Sequence, residues 1–106
     1  MRIVISGASG FIGQMLVPKL LQSGADLVLL GRDAARLAVL FPGQMTASYE
    51  EAGHAASGAN LFLNLAVLNN DQSADIAAMT RVNADFAADL AATAMRAGVT
   101  RFVNVS

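Results

Sequence analysis

The chain has 106 residues, 55% hydrophobic and 14% charged, with a formal net charge of −1. That length suits one small domain with a core of its own, and the seven scattered Lys and Arg leave no basic footprint for nucleic acid or an anionic membrane. With no cysteine, disulfides, thiolate metal sites and a cysteine nucleophile are excluded.

No apolar run approaches a membrane span. The opening MRIVISGASG lacks the apolar core and small-residue cleavage pattern of a signal peptide. The expectation is a soluble, cytoplasmic protein without nucleic-acid or membrane partners.

In chain order, Arg2–Ser6 is a short β-branched run and reads as a buried strand. Phe11 to about Ser23 has apolar residues at Phe11, Ile12, Met15, Leu16, Leu20 and Leu21. That is helical spacing, with Gly24 as the stop and Pro18 expected to kink or loosen the helix. Asp26–Leu30 is a second buried strand, and Asp33–Leu40 a short helix stopped by Pro42-Gly43. Met45–Ser48 can form a short third strand and Glu50–Ala56 a helical stretch. Asn60–Ala66 is a strand. After the polar Asn69-Asn70-Asp71-Gln72, a long helix is predicted over Ser73–Ala97, its stripe formed by Ile76, Met79, Val82, Phe86, Leu90 and Met95. Arg101–Ser106 is the last strand. Alternating elements of this kind predict an α/β fold with a parallel sheet in order 3-2-1-4-5.

The first strand runs into Gly7, Gly10 and Gly13, and a helix opens near Phe11. A helix N-terminus carries unpaired N–H groups and partial positive charge, so phosphate binds there if the backbone can approach. Gly7 permits the tight turn, Gly10 leaves room for a pyrophosphate, and Gly13 lets the helix pack closely. The spacing G-x-x-G-x-x-G differs from G-x-G-x-x-G, and from the triphosphate P-loop, which needs Gly-Lys-Ser/Thr. The competing reading is a glycine-rich turn that holds nothing. The strand before and amphipathic helix after favour the dinucleotide.

Arg32 stands at the tip of the second strand. An acid there binds a ribose 2′-hydroxyl and favours NAD, whereas an arginine accommodates the 2′-phosphate of NADP. Asp33, one residue on, suits a helix N-cap. NADP is therefore favoured over NAD; otherwise Arg32 only solvates a loop.

Other chemistry is poorly supported. His54 is the only histidine, too few for a zinc or iron site. Asp85 and Asp89 share a helix face but read as part of a polar outer surface, together with Asp71 and Asp75. Ser6, Ser9 and Ser106 have no nearby base for a hydrolase triad. Phe11 and Phe86 read as packing residues.

Four segments in order, ISGASGFIG, LLGRDAARL, NLFLNLAVL and RVNADFAADLAATAMRAGVTRFVNVS, resemble the short-chain dehydrogenase/reductase superfamily. The similar branch is the extended and atypical one, the NAD(P)-dependent epimerase/dehydratase-like proteins. The resemblance implies that the backbone at Gly7, Ser9, Gly10, Phe11, Ile12 and Gly13 forms the pyrophosphate loop. It implies that Arg32 pairs with the 2′-phosphate, and that Leu65, Ala66 and Val67 line the cofactor. Asn83 becomes an internal polar residue of the fourth helix, and Val105 and Ser106 approach the nicotinamide.

Departures accompany the resemblance. No acid follows the third strand until Glu50, which leaves the adenine contact open, and Asn64 replaces a frequent histidine, a change expected to matter little. The family's Tyr-x-x-x-Lys pair is missing: Tyr49 and Lys19 are the only tyrosine and lysine, 30 residues apart in the wrong order. Residues 1–106 are thus expected to be an incomplete N-terminal NAD(P)-binding domain, inactive alone, from a parent that moves hydride at a hydroxyl- or carbonyl-bearing carbon of a small molecule. The alternative is a non-catalytic NAD(P)-binding redox sensor or regulator. An open edge at the last strand predicts self-association, and the resemblance adds dimerisation through the long helix.

Overall fold

Side chains alternate across a strand, so a parallel strand covered on both faces reads as an unbroken apolar run. That explains RIVIS and DLVLL. In the computed structural model, which describes residues 1–66 and 76–105 (backbone alone at 76–79), these runs form β1 (Arg2–Ser6) and β2 (Asp26–Leu30). The remaining elements are α1 (Phe11–Gln22), α2 (Ala34–Leu40), β3 (Met45–Ala47), a 3-10 turn (Tyr49–Glu51) running into α3 (Ala52–Ala56), β4 (Leu61–Asn64), α4 (Ile76–Arg96) and β5 (Phe102–Asn104). The five strands form one parallel sheet in order β3-β2-β1-β4-β5, as expected from the sequence. The expected polar loop and the start of the long helix, at 67–75, lie outside the described residues.

Two cores flank the sheet. Even-numbered strand residues Val4, Val28, Leu30 and Phe62 pack with Ala52 and Ala56 of α3 and with Leu90 and Ala94 of α4. Odd-numbered Ile3, Ile5, Leu27 and Leu29 pack with Ala8, Val17 of α1 and Leu37 of α2.

The inner faces of two helices differ from the sequence reading. On α1 the buried residues are Gly13 and Val17, while Phe11 is 81% exposed, so Phe11 is not a packing residue. Ile12 and Met15 are exposed as well. Apolar spacing alone located the helix but misplaced its inner face, because Gly13 brings that face close to Ala8. Pro18 sits inside α1, which is helical on both sides of it; the proline is on the exposed side and contributes no N–H to the helix. On α4, Leu90 and Ala94 are buried and Phe86 packs beside them, but Val82 and Met95 are exposed. Met95 lies about 100° around the helix from Ala94, so a small alanine occupies the position assigned to the larger methionine. Phe86 is a packing residue, its ring meeting Tyr49 edge-on at 5.1 Å and 87°.

Candidate functional site

Connections to β2 and β3 leave β1 on one side, and those to β4 and β5 on the other. The crevice at such a switch point, beyond the carboxyl ends of the strands, is where open α/β sheets hold ligands. A cleft of about 540 Å³ opens there, lined by Gly7, Ser9, Gly10, Gly31, Arg32, Asp33, Arg36, Leu37, Tyr49, Leu65 and Ala66.

The floor is the β1–α1 loop. Gly7 has a φ of +82°, and a Cβ there would meet the Ala66 Cα at 2.6 Å and the Leu65 carbonyl carbon at 2.7 Å. Backbone conformation and close approach therefore both demand glycine. Gly10 is the α1 N-cap and offers no capping side chain. The first-turn amides consequently have no side-chain acceptor at the N-cap. A Cβ at Gly10 would meet nothing nearer than the Gly7 carbonyl oxygen at 3.5 Å, so the space above that residue belongs to the cleft. The loop is braced where the Gln14 side-chain amide donates to the Ser9 carbonyl at 2.7 Å. Gly13 lies outside the lining, where a Cβ would come within 2.6 Å of the Ala8 carbonyl carbon; its role is close packing of α1. Phe11 and Ile12 stand at the start of α1, also outside the lining.

The far wall is basic. Asp33 caps α2 by accepting the Arg36 N–H at 3.0 Å, which commits one carboxylate oxygen to the helix. Arg32 and Arg36 flank it in the cleft wall. The ion pair among the described residues is Arg2–Asp26, at 3.0 Å, so neither wall arginine is ion-paired within them, and Asp33 between the two offsets only one of their charges. Two exposed guanidiniums at one end of a glycine-floored cleft make an anion-seeking surface.

Tyr49 completes this end, half-buried between Phe86 and the cleft. Burial pushes its phenol pKa above the ordinary 10.0, and Arg32 opposes the rise. A phenol whose folded pKa is raised contributes stability that is fully present below the unfolded value and is lost as pH rises through the folded one. Stability is therefore expected to fall as pH climbs past about 10. Tyr49→Phe should flatten that part of the curve in denaturant melts across pH 9–11; an unchanged slope would contradict the burial of this phenol.

The near wall is the tip of β4, held by polar groups buried in the sheet. Ser6, Asn64 and Asn104 share one register row across β1, β4 and β5. Ser6 and Asn64 are 0% and 1% exposed. The Ser6 hydroxyl donates to Asn64 Oδ1, which also accepts the Ala66 N–H at 3.1 Å. Asn64 Nδ2 donates to Asn104 Oδ1 at 2.9 Å.

Of the residues singled out from sequence, Gly7, Ser9, Gly10, Arg32, Leu65 and Ala66 meet in the cleft. Val67 and Ser106 lie outside the described residues. Sequence reasoning passed over Arg36, Leu37 and Tyr49 as cleft residues. Arg36 was findable, one helical turn from Asp33. For Tyr49 the Ser48-x-x-Glu51 capping box marked a turn opening after β3, but the side the ring faces depends on packing against Phe86.

The chain is similar to known proteins in family and in fold. The model of the NAD dependent epimerase/dehydratase family matches residues 3–106. A short-chain dehydrogenase/reductase superfamily protein from Agrobacterium tumefaciens, solved with bound NAD, is 23% identical with a TM-score of 0.77; the match covers 100% of this chain and 32% of that one. UDP-N-acetylglucosamine 4-epimerase from Bacillus cereus is 16% identical with a TM-score of 0.79, covering 100% and 35%. MoeE5, solved with UDP-glucuronic acid and NAD, is 23% identical with a TM-score of 0.76, covering 100% and 36%. At these identities the likeness is one of fold, and the chain spans about a third of the length of these proteins. No curated protein matches the chain.

Proposed function

The chain belongs to the NAD-dependent epimerase/dehydratase family, and from that premise we propose that residues 1–106 are the N-terminal dinucleotide-holding domain of an NADP-preferring epimerase, dehydratase or reductase. One observation carries the reading: the glycine floor, the open first turn of α1 and the Arg32–Arg36 wall meet in a single cleft.

The residues present fit the cofactor. Gly10 leaves room for a pyrophosphate against the first-turn amides, whose partial positive charge favours it. The Arg32 and Arg36 guanidiniums suit a 2′-phosphate, and Leu65 and Ala66 offer an apolar and backbone wall to the middle of the dinucleotide. Val67 and Ser106 belong to the same proposed surface. The nicotinamide, when bound, supplies a hydride donor or acceptor. This chain's part is to bind, orient and shield, since Tyr-x-x-x-Lys does not occur within it, and it is expected to turn over nothing alone. The parent's substrate is a small molecule with a hydroxyl- or carbonyl-bearing carbon; a sugar nucleotide, the ligand held by MoeE5, is one such class. Calorimetric titration should give tighter binding of NADPH than of NADH. Equal affinities would overturn the NADP preference, and no heat with either would overturn the dinucleotide reading.

A second reading is a non-catalytic NAD(P)-binding redox sensor or regulator, which the Gly31-Arg32-Asp33 element suits equally well. Reductase activity in this chain would contradict both. A cytoplasmic location is part of this proposal, and the cysteine-free sequence is compatible with it. Self-association is supported by the edge position of β5, where Val103 is exposed; a strictly monomeric chain in sedimentation would count against it.

A further inference from the structure

We propose that Asn64 is the positioning residue of the cleft, the group that holds the tip of β4 against Gly7 so that the phosphate loop and the near wall keep a fixed separation. The inference rests on the dinucleotide reading for its affinity effects, but not for the clamp itself.

A polar side chain is out of place here on packing grounds alone. The row beneath it on the same sheet face is Val4, Phe62 and Phe102, with Val4 and Phe62 fully buried. Burying an amide costs free energy unless its groups are hydrogen-bonded. Asn64 meets that condition by joining three segments. Its oxygen takes the Ser6 hydroxyl from the strand that feeds the phosphate loop. The same oxygen takes the Ala66 N–H at 3.1 Å, and its amide nitrogen reaches Asn104 on β5 at 2.9 Å.

The Ala66 contact gives the network its consequence. Ala66 is the backbone that crowds Gly7, and Ala66, Leu65 and Gly7 are all cleft-lining residues. β4 pairing ends at Asn64, with Leu65 N–H still bonded to the Ser6 carbonyl at 2.8 Å. At Ala66 the acceptor becomes the Asn64 side chain. The last backbone group of the near wall is thus fixed by a side chain rather than by a strand, and the side chain doing so is tied to β1.

The test compares two substitutions in the full chain, with NADPH binding measured below the melting temperature of each. Asn64→Leu fills the space but leaves the Ala66 amide without its acceptor; affinity should fall about tenfold or more. Asn64→Asp keeps an acceptor oxygen toward Ser6 and Ala66, and its second oxygen can accept from Asn104 once that side-chain amide turns over; it should bind within about threefold of the parent despite the lower stability a buried carboxylate brings. A merely structural role predicts that neither affinity moves while both variants are folded; an unchanged affinity in Asn64→Leu, or an aspartate variant that binds worse than the leucine one, would overturn the proposal. Native-state hydrogen exchange reads the clamp without nucleotide. The Ala66 amide should be protected in the parent and exchange faster in Asn104→Ala, a change at the exposed end of the network that leaves the folding of Asn64→Leu out of the question. An Ala66 amide that exchanges like an open-loop amide in the parent would also overturn the clamp. A parent that binds no NADPH would sink the dinucleotide reading alone, and the exchange result would then decide the clamp.

Discussion

Gly7→Ala is expected to lower the melting temperature by more than about 10 °C, a loss of roughly 3 kcal/mol or more. Two costs combine. A φ of +82° is strained for alanine, and the new methyl would sit 2.6 Å from Ala66 Cα, a backbone atom that cannot turn aside as a side-chain tip can. Relief would require β4 to move away from β1 at the point where Asn64 and Ser6 hold them together. Gly10→Ala is the control. It has a φ of −77°, and its methyl would meet only the Gly7 carbonyl oxygen at an ordinary 3.5 Å. That variant should melt within about 2 °C of the parent while NADPH affinity drops by at least about tenfold, because the methyl occupies space the pyrophosphate needs. One glycine thus serves the fold and the other the ligand. Thermal melts and calorimetry on both variants would show whether the two roles separate; a Gly7→Ala protein that melts with the parent would contradict the close approach.

Removing the basic wall should move cofactor choice rather than stability. Arg32→Ala and Arg36→Ala are each expected to weaken NADPH binding by roughly 10- to 100-fold, the scale of losing a charge-assisted hydrogen bond, and to leave NADH within about threefold. Both side chains are exposed, so their attraction for a 2′-phosphate is screened by salt. The preference for NADPH should therefore shrink as ionic strength rises from about 0.01 to 0.5 M. Equal losses for NADPH and NADH would mean that the arginines act on the pyrophosphate or on the loop instead. Melting temperatures should barely change, since neither guanidinium has an ion-pair partner among the described residues.

Most of the architecture was legible because each strand is an apolar run and each helix carries a stop. RIVIS and DLVLL read as buried strands by their shortness and flanking turn residues, and Gly7 with Arg32 marked the ends of β1 and β2 without any knowledge of packing. The order 3-2-1-4-5 followed from alternation and the rules for parallel connections. Which apolar residues face inward was less legible. Phe11, Ile12 and Met15 fit a helical stripe, but α1 presents Gly13 and Val17 to the sheet, and a glycine contributes nothing to a hydrophobic pattern. Met95 outranks Ala94 in hydrophobic size, yet the alanine is buried and the methionine exposed, because Ala94 follows Leu90 by one helical turn on the face that meets the core.

The polar part of the site was least visible. Asn64 looked like a tolerable replacement, since a strand pattern treats one polar residue as noise. Its weight comes from register: Ser6, Asn64 and Asn104 fall side by side only once β1, β4 and β5 are aligned. A signal was present nonetheless. An asparagine inside NLFLNLA needs partners if it is buried, and polar residues near the ends of the adjoining strands, Ser6 and Asn104, were available to supply them. Tyr49 became a cleft residue through the turn after β3; the Ser48-x-x-Glu51 capping box marks that turn locally, but not the direction in which the tyrosine ring faces.

The most direct test of the dinucleotide cleft is an NMR titration of the 15N-labelled chain with NADPH. The account predicts saturable shifts concentrated at the amides of Gly7, Ser9, Gly10, Gly31, Arg32 and Ala66, with little change on the outer face of α4 around Asp85 and Asp89. Shifts absent at saturating NADPH, or gathered away from the β1–α1 loop, would contradict it.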